Sequence, residues 1–137
     1  IPDAFKSELL SGTHNFANGG NTFKIALFTD ISGYSTSSTA YSTSNEVSSS
    51  GTNYSAGGNA LDSQAVSVAS NTALVDFADE VFSSVTLSAV GAVIYNSTNS
   101  DKLVVVLDFG GTKTATNGDF TIQFPAAGAS TAIIRIA

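Results

Sequence analysis

The chain has 137 residues, a net charge of −6 and only 12% charged residues, with no Cys, Met or Trp. Absence of cysteine excludes disulfides, thiolate metal sites and thiol nucleophiles, and the five cations, Lys6, Lys24, Lys102, Lys113 and Arg135, are too few and too scattered for a nucleic-acid footprint. No stretch approaches the ~20 apolar residues of a membrane helix, and the 21 Ser and 15 Thr do much of the solvating that charges usually do. The chain opens Ile1-Pro2. A removed leader and a start other than the gene's own both account for that beginning.

The length predicts one domain, 1–137. Residues 1–20 read as an arm or short helix, with Asp3 as the cap and Phe5, Leu9 and Leu10 near one helical face. Asn18-Gly19-Gly20-Asn21 reads as a turn. Phe23–Phe28 is the first clear strand, with Phe23, Ile25 and Leu27 on one face. Residues 31–59 form a Ser/Thr-rich surface segment carrying Tyr34, Tyr41 and Tyr54. A structureless segment this long is unusual in a compact domain, so contacts of its own are expected.

The second half is dense in strand signals: 61–69, 72–77, 81–90, 91–96, 103–107, 120–124 and 131–136. Leu103–Leu107 is apolar on both faces and predicts a central strand. Asn117-Gly118 reads as a hairpin turn, and Gly110-Gly111-Thr112 as a hairpin connection. Roughly eight short strands at this spacing predict an all-β class, a jelly-roll-like β-sandwich with a short N-terminal helix.

Candidate chemistry is sparse. His14 is the single histidine and has no G-x-S-x-G elbow beside it. It reads as a surface or hydrogen-bonded loop residue whose loss leaves the fold nearly unchanged. Asp76, Asp79 and Glu80 form the densest acidic cluster but lack calcium-loop spacing, and read as solvated turn residues. The Gly110-Gly111-Thr112-Lys113-Thr114 run lacks the Walker spacing. No catalytic residue, metal ligand or cofactor is expected. Asn53 and Asn96 head glycosylation sequons, each placed on a loop.

Several stretches carry a likeness. Phe5–Phe16, Thr22–Thr29, Thr39–Val47, Tyr54–Asn59, Ala92–Ser97 and Gly118–Pro125 on to Ile136 resemble a family of small virion structural proteins of tailed bacteriophages, common among aquatic phages. The likeness spans nearly the whole chain. It implies a repeated particle component in a virion, and carries no catalytic residue over. An extracellular filament subunit is the related reading.

Both place the chain in a virion or outside the cell, packed against copies of itself in a homo-oligomer or a helical or icosahedral assembly, with other virion proteins as further partners. The expected contact residues are Phe5, Leu9, Leu10, Tyr34, Tyr41, Tyr54, Ile134 and Ile136. Phe5, Leu9 and Leu10 precede the first strong strand. The strand at 132–136 has apolar residues on both faces and invites a partner if it lies at an edge. The alternative is a carbohydrate- or surface-binding sandwich that uses the tyrosines as a platform.

Overall fold

A computed structural model describes residues 1–137. One helix, α1 (Asp3–Leu10), is followed by seven strands: β1 (Phe23–Phe28), β2 (Asn59–Ala60), β3 (Ala65–Ala69), β4 (Thr72–Asp76), β5 (Glu80–Asn96), β6 (Lys102–Ile122) and β7 (Ile134–Ile136). They make two antiparallel sheets, a four-stranded one in the order β2-β1-β5-β6 and a three-stranded one in the order β3-β4-β7. The class is all-β and sandwich-like.

Seven strands replace the expected eight because 81–90 and 91–96 run on as β5, 103–107 and 120–124 are joined in β6, and the short β2 is added. Gly91 lies in the middle of β5 without breaking it, packed where an added Cβ would meet Leu107 O at 2.5 Å. β6 likewise absorbs two stretches read as turns. Asn117-Gly118 forms a bulge, since β6 spends three residues from Ala115 to Gly118 while β5 spends two from Leu87 to Val85. Asn117 takes the positive φ (47°) that such a bulge accepts, and Ser84 (φ 54°) makes its counterpart on β5. Gly110 and Gly111 lie in a wider bulge between the Asp108–Gly91 and Lys113–Ala89 pairs. The real hairpin connection is 97–101, where Ser100 and Asp101 supply positive φ.

The core explains which strands hold the structure. Phe23, Ile25 and Leu27 of β1 face the larger cluster with Ile94, Val105, Phe120, Ile122 and Phe124. Phe16 stacks on Phe23 at 4.3 Å, and Phe77 meets both edge-on, which bridges the sheets. Ala26 and Phe28 face the other way, into a second cluster with Val93, Tyr95 and Leu103. β1 is therefore covered on both faces, and the Ser/Thr-rich segment supplies the second cover.

Leu103–Val105 is buried as read, but β6 is an edge strand of its sheet, not a central one. Its start is guarded by the same segment: Leu103 N–H donates to Thr39 O (3.0 Å) and Tyr41 N–H to Asp101 O (2.9 Å). A central strand and a guarded edge strand have the same sequence signature, because both lose solvent on two faces.

Candidate functional site

Three places gather side chains beyond ordinary packing. The first is the junction of α1 with the 97–101 turn. Pro2, not Asp3, takes the helix N-cap position; Asp3 pairs instead with Lys6 (3.0 Å). Phe5 and Leu9, four residues apart, turn inward, while Leu10 falls off that face and is 91% exposed. Glu8 binds Lys102 (2.9 Å) and His14 Nε2 (3.3 Å).

Asn96 donates from Nδ2 to His14 Nδ1 (3.1 Å) and to Asn21 Oδ1 (3.1 Å), while its Oδ1 accepts the amides of Thr98 and Asn99. With that amide orientation, Nδ1 of His14 must be an acceptor and Nε2 the proton carrier. The His14 side chain has no exposed surface, and Phe5, Phe16 and Phe23 surround its ring. The histidine is thus a neutral structural tie, its side chain shielded from solvent. The expectation that its loss would be nearly silent is corrected, because removal opens a cavity and strands Asn96 and Glu8.

A pH signature follows. Burial chiefly lowers the His14 pKa from its ordinary 6.5, although Glu8 opposes the shift. The unfolded chain therefore binds a proton before the folded one does. The stability this tie contributes is full above pH 6.5 and falls as pH drops below it. Burial resists ionisation of Glu8, but Lys102 and His14 together outweigh it and hold the carboxyl below its ordinary 4.5. Its contribution is lost only as pH falls below 4.5. Denaturant melts across pH 4–7 should show a decline beginning near 6.5 in the native protein. The His14→Gln variant should lack that first step. His14→Ala should cost about 2–4 kcal/mol, from the lost ring contacts and the unpaired neighbours.

The second place is a tyrosine cluster. All four tyrosines of the chain converge on it. Glu46 accepts hydrogen bonds from the hydroxyls of Tyr41 and Tyr54 (2.6 Å for Tyr54) and from Gly57 N–H (2.7 Å). Tyr54 in turn accepts Leu27 N–H (3.0 Å), and Tyr95 donates to Gly57 O (2.6 Å). Tyr41 stacks on Tyr95 at 4.3 Å, and Tyr34 meets Phe28 edge-on.

Burial raises the pKa of Tyr41 and Tyr54, with Glu46 adding to it; burial and then Asp101 push Tyr95 up to about 12. The segment 31–59 is therefore pinned to the sheet by its own tyrosines. Tyr54 is interior and not available as a contact residue. Tyr34 and Tyr41, half-buried, line one side of a polar hollow of about 500 Å³ with Asp30, Ser42 and Asn45.

The third place is the three-stranded sheet. Val66 and Val68 are 54% and 75% exposed, and Ile136 is 53% exposed. Register sets Val68, Ala73 and Ile136 in one row and Val66, Val75 and Ile134 in the next, all on one face. Val75 and Ile134 are buried in the core, so the face is half covered and half bare. A groove of about 500 Å³ runs between this face and the N-terminal region, lined by Leu9, Phe16, Val66, Leu74, Ile134 and Ile136.

Of the contact residues read from the sequence, Phe5, Tyr54 and Ile134 are core residues, because one domain does find room for them. Leu9 is partly buried against the core, and Leu10 and Ile136 are exposed. β7 does lie at a sheet edge. Val66 and Val68 were not singled out from the sequence, although their alternation with Ser67 was a visible signal.

Asn96 does not sit on an open loop: it has no exposed surface, and both ends of its amide are taken, Nδ2 by His14 and Asn21 and Oδ1 by the Thr98 and Asn99 amides, so a glycan has no room there. Asn53 is exposed, with Nδ2 within reach of Ser84 O at 3.2 Å. Of the acidic cluster, Asp79 accepts Phe124 N–H (2.8 Å) and Glu80 is buried, bound by Asn59 (3.1 Å). Glu80 is therefore a buried structural acceptor and not a solvated turn residue, whereas Asp79 stays exposed in the connection between β4 and β5 while it holds Phe124 N–H.

Comparison with known proteins adds no relative. No protein-family model, curated protein or solved structure matches the chain.

Proposed function

We propose that the chain is a non-catalytic structural subunit that assembles with copies of itself or decorates a larger particle, as a phage virion component or an extracellular filament subunit. The observation that carries this reading is the bare half of the three-stranded sheet. An exposed edge is ordinarily blunted with charge, yet β3, Ala-Val-Ser-Val-Ala, carries none and exposes both valines. The inward use of His14 and Glu80 supports the same reading, since each is committed to holding the fold.

The test is light scattering after size exclusion, with electron microscopy of the purified protein at rising concentration. Ordered oligomers or polymers are expected. A single monomeric species at every concentration would remove the self-assembly reading. The polar hollow beside Tyr34 and Tyr41 supports a second one, a glycan-binding module. Saturable binding on a glycan array by a dispersed monomer, weakened by Tyr34→Ala, would favour it.

A further inference from the structure

We infer that β3 is a self-pairing edge, joining antiparallel to β3 of a second copy across a two-fold axis at Ser67. The inference rests on the assembly reading above and names its contact. Three observations carry it.

The first is the direction of the backbone. β3 and β4 are joined by the two-residue turn Ser70-Asn71, whose φ values of 47° and 63° are those of a type I′ hairpin. In such a hairpin the flanking pair, here Ala69 and Thr72, exchanges hydrogen bonds, and the pattern alternates from there. Ala65, Ser67 and Ala69 therefore spend their backbone groups on β4. Val66 and Val68 turn theirs outward, and no hydrogen bond outside the ladder reaches either residue.

The second is the sequence. Ala65-Val66-Ser67-Val68-Ala69 reads the same in both directions. Antiparallel pairing about Ser67 sets Val66 of each copy opposite Val68 of the other, and Ser67 opposite Ser67. The two valine pairs are then the hydrogen-bonded pairs and the serine pair the non-bonded one. Four hydrogen bonds satisfy all the outward groups of both strands. Any shift by one residue would face outward groups with inward ones.

The third is charge. Two copies at −6 repel, and residues 63–75 contain no charged side chain. Pairing there produces a six-stranded sheet whose apolar rows run on from one copy to the other, Ile136, Ala73 and Val68 meeting Val66, Val75 and Ile134. The four valines bared in the single copies then cover one another.

The chain has no cysteine, so Ser67→Cys supplies a single thiol at the two-fold. A directly opposed non-bonded pair has Cα atoms about 4.5 Å apart, inside the range a disulfide spans. Mild oxidation of this variant should give a covalent dimer in high yield, while Ser83→Cys, exposed on β5, should not. Val68→Lys should keep the native melting curve, because its side chain is mostly in solvent, and weaken association at least tenfold. If the native protein assembles but Ser67→Cys forms no more dimer than Ser83→Cys, and Val68→Lys assembles as the native chain does, β3 is not the contact and the assembly reading stands. If the native protein is monomeric throughout, this contact and the self-assembly reading both fall.

Discussion

Gly58→Ala should lower the unfolding free energy by more than about 4 kcal/mol, into the range reached only by a few mechanisms. A Cβ at Gly58 would lie 1.8 Å from Ile25 O and 2.8 Å from Ala26 Cα. Those are backbone atoms of β1, which is held between β2 and β5 and cannot retreat. The left-handed φ of +76° adds strain.

Gly57 is the internal comparison. Its φ is +91°, equally unfavourable for a side chain, but an added Cβ would meet only the tips of Tyr95 and Lys24 at 3.4 and 3.5 Å. Gly57→Ala should cost about 1–2 kcal/mol, the backbone part alone. Urea melts of the two variants separate the terms. Equal costs would show that the close approach to β1 is relieved by a small shift of the 55–59 turn.

Glu46→Ala should cost about 2–4 kcal/mol and loosen the segment 31–47 ahead of the rest. The substitution takes the acceptor from Tyr41 Oη, Tyr54 Oη and Gly57 N–H together. A stranded buried donor costs about 1–3 kcal/mol, less where water can reach it, and Glu46 is only half-buried. Glu46→Gln keeps one acceptor oxygen and should cost about half as much. Hydrogen exchange should show Leu27 and Val47 amides opening earlier in Glu46→Ala, since Tyr54 Oη holds the first and Leu27 O holds the second.

Alkali tests the same cluster. Tyr95 titrates at about 12 against an ordinary 10. A raised pKa means that its contribution is complete below pH 10 and is lost as pH rises toward 12. Tyrosinate absorbance should therefore lag that of the unfolded chain above pH 10. A titration that coincides with that of the unfolded chain would mean that the cluster is open to solvent.

The strand content was legible because alternation is a local property. Phe23, Ile25 and Leu27, or Phe120, Ile122 and Phe124, declare an inward face without knowing what lies opposite. The Ser/Thr-rich segment was legible as a surface element for the same reason: little in it but its tyrosines and Val47 could be buried at length.

What the sequence could not settle was every question whose answer lies on another strand. Asn117-Gly118 prefers positive φ equally in a turn and in a bulge, and only the pairing of β5 with β6 decides between them. His14 and Asn96 are 82 residues apart, so nothing local could say that each completes the other. Glu46 looks like a lone charge in a polar run until Tyr41, Tyr54 and Gly57 are folded around it. The palindrome at 65–69 was present in the letters, but its meaning depends on β3 being an open edge, a fact of sheet order alone. Side-chain periodicity determines which residues seek cover; long-range pairing determines which of them find it within one chain.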